Sequence, residues 1–531
     1  MRKSILLIGL LGMALSTIPM TGCFNNGTKK DQVDSSGKLK VSFRNLYFGG
    51  YSGGDEYLAK IEEKFGLKFT LEPYDWANWS TQVTSQINTR KLPDVFHANV
   101  DSYNFSNTYK YYAEEKIAKP LPKDLSEYPN LQRVIDNATN IDKLKLGDEK
   151  LLYGIPIAKN TTDYSTDFSP FTYIYRREWA KQWGVYQEND EYTWDQFKAL
   201  LDKFSKELDG KNRFALGDVE WGFPSITNFY KQVPHCFAQD ETGKYVNNYT
   251  TDAYLEGLEE SRQFKLNNWY YPSQNTASDG TLNTKYSSGQ IGVFYENLSY
   301  TNYVTLKNTF RTNFPNTTPQ GLNDAMAIMK IKGPDGKYVL EGTDNWFSMT
   351  FFDYRISDEK MAKILKLYDW LLSDEGTEFC IYGVKDEDYT KDGDGNITLN
   401  DYAWPQTSPG KYADKTNGGK YLRYMVSLGY DTLSYDPLTD KESVNYLDNW
   451  DKEMRDAKAA GTLKVLKETP DVMWLTTPLK AENSGTMRTN ALKSVMQYIY
   501  SEDSKPLNKY LSSFGKIWDQ VLEEINNELG K

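Results

Sequence analysis

Apolar and polar positions change their rhythm along this chain, and each change marks an element. Leu39, Val41 and Phe43 alternate with Lys40 and Ser42, the period of two that predicts a strand. A glycine-rich stretch from Tyr47 to Gly54 follows. Tyr57, Leu58, Ile61 and Phe65 then keep helical spacing up to Gly66. A second apolar strand, Leu67 to Leu71, completes a strand, loop, helix and strand, the opening of a parallel sheet. Those glycines read as a loop whose backbone comes close to a ligand. They lack the Lys and Ser/Thr offsets of a phosphate cradle.

Further on, a turn at Pro93 leads into a strand, Asp94-Val-Phe-His-Ala98, with Asn99 and Asp101 beyond its carboxyl end, where open α/β sheets bind ligands. A helix starts near Arg177. The next opens on Thr193 with Gln196 three residues on, a capping box, and carries Phe197, Leu200, Leu201 and Phe204 on one face. Ser357 caps a helix with Met361, Ile364, Leu365, Tyr368 and Leu372 on one side, and another begins near Ser373. Trp179, Trp183, Trp194 and Trp370 stand at helical apolar spacing and are assigned to packing.

The amino terminus differs from this body. Met1-Arg-Lys-Ser, an apolar run from Ile5 to about Met20, and then Thr21-Gly22-Cys23 predict a signal peptide over residues 1–22. Met20-Thr21-Gly22-Cys23 resembles a lipobox, with Cys23 as the lipid anchor. Residues 23–38 are polar and without apolar period, and read as a flexible tether. No later run reaches the ~18 to 20 apolar residues of a transmembrane helix. The remaining body of about 500 residues exceeds one core and calls for at least two lobes.

Charge and composition remove several functions. A net charge of −11 argues against nucleic acid, which needs basic surface. Two histidines, His97 and His235, exclude a multi-histidine metal site. No G-x-x-x-x-G-K-[ST] or G-x-S-x-G occurs. Cys236 and Cys380 sit among apolar residues and read as buried thiols. Aromatics make up 15% of the chain, which suits a protein that stacks rings on sugars.

The lipobox, "LPDVF", "YGIP" (Tyr153 to Pro156), "RREWAKQWG" followed by "TWDQF", "GQIGVFYEN" (Gly289 to Asn297) and "LLSDEG…YGV" occur in one order. In that order they resemble the extracellular solute-binding lipoproteins of bacterial ABC importers, in the subgroup of alginate-binding and large Gram-positive oligosaccharide-binding proteins. The resemblance implies an α/β, two-lobed periplasmic-binding-protein-like fold with a hinge between the lobes. It divides the chain into 39–160 plus 336–410 for the first lobe and 161–335 plus 411–531 for the second, with crossings near 155–167, 332–342 and 405–415. It implies a lipid-anchored monomer on the extracellular face of the cell membrane, an oligosaccharide ligand, permease subunits as partners, and no catalysis or cofactor.

Sugar binding needs ring platforms and planar polar groups. The candidate ligand residues are Trp76, Trp79, Asn99, Asp101, Tyr103, Trp221, Glu296, Asn297 and Trp346. For each Trp, packing in the core is the competing assignment. Arg176 or Arg177 would serve a uronate or else a surface ion pair. The alternatives are a secreted carbohydrate-active enzyme with paired carboxylates and a binding protein for a peptide or other non-sugar solute.

One stretch imitates a calcium loop. With Gly395 at the sixth EF-hand position, Thr390 falls first, Asp392 third, Asp394 fifth, Asn396 seventh and Asp401 last. Thr replaces the first Asp, and Asp replaces the bidentate Glu. Asp392-Gly393 and Asp394-Gly395 are hairpin signals, so a turn is expected first, with Asp392, Asp394, Asn396 and Asp401 as the weaker metal alternative. Relatives carry calcium after the helix matching "TWDQFKALLDKF"; here that place, Ser205 to Phe214, is shortened and basic.

Overall fold

The computed structural model describes residues 28–75, 78–98, 105–162, 168–208, 213–218, 224–271, 279–400, 417–433, 435–436, 439–501 and 506–531. Two five-stranded sheets organise the chain. The first contains β1 (Leu39–Asn45), β2 (Leu67–Pro73), β3 (Val95–Ala98), β4 (Ile155–Ala158) and β13 (Trp346–Phe352), in the order β2-β1-β3-β13-β4. The pairs β1–β2 and β1–β3 are parallel, and β13 runs antiparallel between β3 and β4. The helix between β1 and β2, Glu56–Phe65, forms where its spacing predicts: Asp55 caps it, accepting from Leu58 N, and Gly66 ends it at φ 63.

The second sheet contains β5 (Phe171–Tyr175), β6 (Glu191–Tyr192), β7 (Phe214–Asp218), β10 (Ile291–Asn297) and β11 (Ala327–Ile331), in the order β6-β11-β5-β10-β7. Here β5 is antiparallel to both β10 and β11. The helix Trp194–Glu207 covers one face with Phe197, Leu200, Leu201 and Phe204 fully buried, and Thr193 and Gln196 close its capping box. Trp179 and Trp194 are buried in the same core, while Trp183 and Trp370 pack half-buried against their cores. Cys236 and Cys380 are free, buried thiols.

Smaller pairs complete the strands. They are the hairpin of β8 (Phe237–Gln239) with β9 (Tyr245–Asn247), the parallel pair of β12 (Tyr338–Glu341) with β16 (Leu463–Leu466), and the hairpin of β14 (Tyr389–Lys391) with β15 (Ile397–Leu399). The carboxyl-terminal helices Pro478–Tyr500 and Gly515–Glu528 share a core with Tyr249 and Leu258 of the second lobe.

The connections fix how the sheets face each other. The chain leaves the carboxyl end of β4 and enters the amino end of β5 within residues 159–170; it leaves the carboxyl end of β11 and enters the amino end of β13 within 332–345. Such short links bring these edges together, so the cleft lies between the carboxyl edge of the first sheet and the edge holding the carboxyl ends of β7, β10 and β11. The third passage falls later than the 405–415 expected. Leu422, Met425 and Val426 pack in the first core, and from Asp440, paired with Lys307, through Tyr446 and Trp450 the chain joins the second lobe. Apolar residues past 417 therefore complete the first lobe, against the assignment of 411–531 to the second.

The tether is also shorter than expected. Lys29 pairs with Asp353 at 2.7 Å and Asp94 at 3.5 Å, Asp31 pairs with Lys360 at 3.3 Å, and Val33 bridges to Leu39. Residues 28–38 are thus docked on the edge of the first lobe opposite the cleft. Their polarity reflects complementary charges rather than a free linker. Cys23 lies outside the described residues.

Candidate ligand-binding cleft

The carboxyl edge of the first sheet begins with a buried polar floor. Asn45 ends β1, His97 stands on β3, and Thr350 faces His97 on β13; all three are fully buried. Asn45 Oδ1 accepts from Tyr47 N at 2.9 Å and lies 2.7 Å from His97 Nδ1, so Nδ1 carries the proton and Nε2 the lone pair. Burial pushes the His97 imidazole down to about 3, which keeps it neutral. Thr350 Oγ1 donates to Met425 O at 2.5 Å, fastening the segment 423–430 across the strand ends.

Rings cover this floor. Tyr47 stacks on His97 with centroids 5.5 Å apart and lies 5.8 Å from Tyr424. Tyr424 meets Tyr421 edge-on at 6.2 Å, and Tyr421 stacks on Tyr51 at 4.0 Å. Beside Tyr47 and Tyr424 stands Tyr430. It leaves 41% of its surface open, yet its surroundings push its hydroxyl up to about 12. Its backbone N–H on Lys159 O holds this open ring at the crossing between the lobes.

The segment that carries Tyr430 is tied to the crossing after β4. Ala158 N donates to Val426 O, Leu428 N to Ala158 O and Tyr430 N to Lys159 O, at 2.8–3.1 Å. Asp431 Oδ2 accepts from the backbone and hydroxyl groups of both Thr161 and Thr162, at 2.7–3.1 Å. Lys159 spans to the second crossing, donating to Thr343 Oγ1 and Asp344 O, each at 2.8 Å. Burial pushes its ammonium down to about 8.

The facing edge of the second lobe is polar and engaged with itself. Glu296, 7% exposed, accepts from Asn297 N at 2.7 Å, and Asn297 Oδ1 accepts from Ser299 N at 2.9 Å. Asp218, at the end of β7, accepts from Ser225 N at 2.8 Å, and burial pushes its carboxyl up to about 7. Near this edge, Tyr295, Asn228, Ser225 and Tyr173 are among the residues lining a small, partly open pocket of about 20 Å³, the space of a single water.

The candidates from sequence separate on this frame. Glu296 and Asn297 stand on the cleft edge. Trp79 opens the helix Trp79–Thr89 beyond β2 and packs half-buried on the first core. Trp346 is 5% exposed, donates Nε1 to Thr139 O at 2.9 Å and stacks near Trp474, so it is a packing residue. Trp76, Asn99, Asp101, Tyr103 and Trp221 lie outside the described residues. Arg176 and Arg177 follow β5 at its far end, away from the cleft. Arg177 forks onto Asp190, the ion-pair alternative. Sequence reasoning missed Tyr424 and Tyr430; Tyr47 and Tyr51 carried a signal in the glycine-rich loop after β1.

Residues 56–377, more than half of the sequence, match the family of bacterial extracellular solute-binding proteins. This chain belongs to that family. Solved structures repeat the architecture. An extracellular solute-binding protein from Bifidobacterium longum subsp. infantis aligns with a TM-score of 0.61 at 13% identity, covering 93% of this chain and 100% of its own. The S. pneumoniae ABC-transporter substrate-binding protein FusA, in complex with kestose, aligns at 0.59 and 14% identity over 93% and 100%. Alginate-binding protein AlgQ2, solved without calcium ion, aligns at 0.54 and 13% identity over 92% and 94%. No curated protein matches the sequence. At such identities the likeness carries the fold, and in a solute-binding protein of this fold the cleft between the lobes is the place for a ligand. Among the described residues of this solute-binding protein, no helix is long and apolar enough to cross a membrane.

Proposed function

We propose that this solute-binding protein captures an oligosaccharide between its lobes and delivers it to the transmembrane permease subunits of an ABC importer. One observation carries the reading: a continuous run of rings, Tyr51, Tyr421, Tyr424 and Tyr47, beside the open face of Tyr430, at the edge where the lobes meet. Sugar rings present apolar C–H faces and a rim of hydroxyls, so an aromatic wall above neutral polar groups suits them. The sugar ligands named for FusA and AlgQ2 support the same class. Binding, closure about the crossings and release suffice for this role, without catalysis or cofactor. In this proposal the chain acts as a monomer, held to the outer face of the membrane through lipidated Cys23 after removal of residues 1–22.

A thermal-shift screen of the purified mature protein against an oligosaccharide library tests it, because a ligand that binds only the folded state raises the melting temperature. At least one saccharide is expected to do so and to be recovered uncut. If only peptides or small metabolites shift the transition, the sugar class is wrong. Cleaved product would establish the carbohydrate-active enzyme instead.

A further inference from the structure

The far edge of the second lobe, opposite the cleft, holds an open recess of about 730 Å³ at the carboxyl end of β5 and the amino ends of β7 and β10. Three cations line it: Arg176, Arg213 and Lys285. Arg176 is 6% exposed; its Nε and Nη2 are bound by Glu178 at 2.5 Å, while Nη1 is buried with no hydrogen-bond partner. A buried charged donor left unmade is costly, so one that lines a recess calls for a partner there.

The surroundings hold that guanidinium in place. Its carbon lies 4.4 Å from the Trp179 ring and 4.8 Å and 5.4 Å from Phe310 and Phe314. The Arg213 guanidinium lies 5.2 Å from the same Trp179 ring, so two like charges share one indole. Glu178 is the carboxylate that the Arg176 guanidinium binds, and Arg213 Nε donates to Gly289 O at 3.3 Å. Gly289, at φ +74, packs against the Arg176 guanidinium: a Cβ there would stand 3.3 Å from Arg176 Nη1 and 3.5 Å from Phe314, so the lack of a side chain lets that guanidinium lie at the recess wall. A chain of net charge −11 thus concentrates positive charge around one unmet donor.

We propose that this recess is a second binding site, separate from the cleft, for an oxyanion of two or more negative charges, held by Arg176 Nη1 with Arg213 and Lys285. Planar guanidinium forks suit phosphate and carboxylate oxygens alike. Inorganic phosphate and citrate therefore serve as the two probes, one tetrahedral and inorganic, the other a small organic polycarboxylate.

The test is titration calorimetry of the mature chain with each probe, at constant ionic strength set by chloride. One-to-one saturable binding is expected for at least one probe. Lys285→Gln should weaken it on the order of tenfold, and Arg213→Gln with Lys285→Gln on the order of a hundredfold. Arg176→Lys, which keeps the charge but loses the fork, should weaken it as well, and the more exposed Lys285 supplies the variant whose melting temperature in chloride stays close to that of the unaltered chain. No saturable heat with either probe overturns the proposal. So does binding that the double variant leaves unchanged, which would mark an adventitious ion only. Because the recess lies away from Tyr430, Tyr430→Ala should leave anion binding intact, so failure here and failure of the oligosaccharide reading are distinguishable.

Discussion

The two sheet edges that meet at the cleft are finished in different ways. On the first lobe, a buried neutral layer of Asn45, His97 and Thr350 supports tyrosine rings, one of them 41% open. On the second, polar side chains engage neighbouring backbone, Glu296 on Asn297 N, Asn297 on Ser299 N and Asp218 Oδ2 on Ser225 N, while Asp218 Oδ1 is buried without a hydrogen-bond partner among the described residues. Oxygens already engaged, as on Glu296 and Asn297, gain little from a new partner, whereas open aromatic area gains from being covered. The difference predicts that a ligand of the proposed class loads onto the first lobe before the second lobe closes over it.

The largest break in this comparison is Tyr430→Ala. It should lower affinity for the best saccharide about tenfold to a hundredfold, on the order of 1.5–3 kcal/mol, with little change in melting temperature because the ring is partly open. Affinity within twofold of the unaltered protein, measured by calorimetry, would remove the first-lobe edge from the argument.

The support beneath the rings is tested by pH. Folded His97 is held near 3, while in the unfolded chain it titrates near 6.5. As pH falls through about 6.5, the unfolded state takes up a proton that the folded state refuses; the contribution is complete above that pH and is lost towards 3. Between pH 7 and 5 this amounts to about 2 kcal/mol. His97→Gln should flatten the pH dependence of chemical denaturation by that amount. His235, also pushed down to about 3, and Glu468, pushed up to about 7, remain in both proteins and cancel from the difference. An unchanged slope would mean that His97 is not held neutral.

These residues also show how far the sequence could be read. Elements whose signals lie within a few residues were legible: the Thr193–Gln196 capping box, the Asp55 and Gly66 ends of the first helix, and the parallel start of the first sheet. Features that depend on distant partners were not. Residues 28–38 have a linker's composition, and their order comes from Asp94, Asp353 and Lys360, far along the chain. Trp346 looks like an open platform until Trp474 and Thr139 O are placed against it. Tyr430 sits in an ordinary turn sequence, and only the pairing of 426–430 with the crossing after β4 brings it to the edge where the lobes meet.

A smaller test addresses the second edge. Asn297→Ala removes the acceptor for Ser299 N and should cost about 0.5–1 kcal/mol of stability, with affinity within about threefold. A loss of affinity equal to that of Tyr430→Ala would show that both edges grip the ligand, and the loading order would fall.

The smallest expected effect concerns a loop distant in design from either edge. Asp392 closes the β14–β15 hairpin: Oδ1 accepts from Asp394 N at 3.0 Å and Asn396 N at 2.8 Å, and Oδ2 from Asn396 Nδ2 at 2.8 Å. The Asn396 side chain, with these backbone donors, holds the Asp392 carboxyl below its ordinary range. An oxygen already accepting two N–H groups has little left for a cation, so calcium must compete with the turn itself. Asp394 and Asn396 flank this turn, whereas Asp401 lies outside the described residues. Millimolar calcium on a micromolar site would raise the melting temperature by several degrees. The expected shift is below about 1 °C and the same in Asp392→Asn, because a hairpin closed by its own Asp needs no ion. A several-degree rise abolished by Asp392→Asn would instead make this turn a calcium loop.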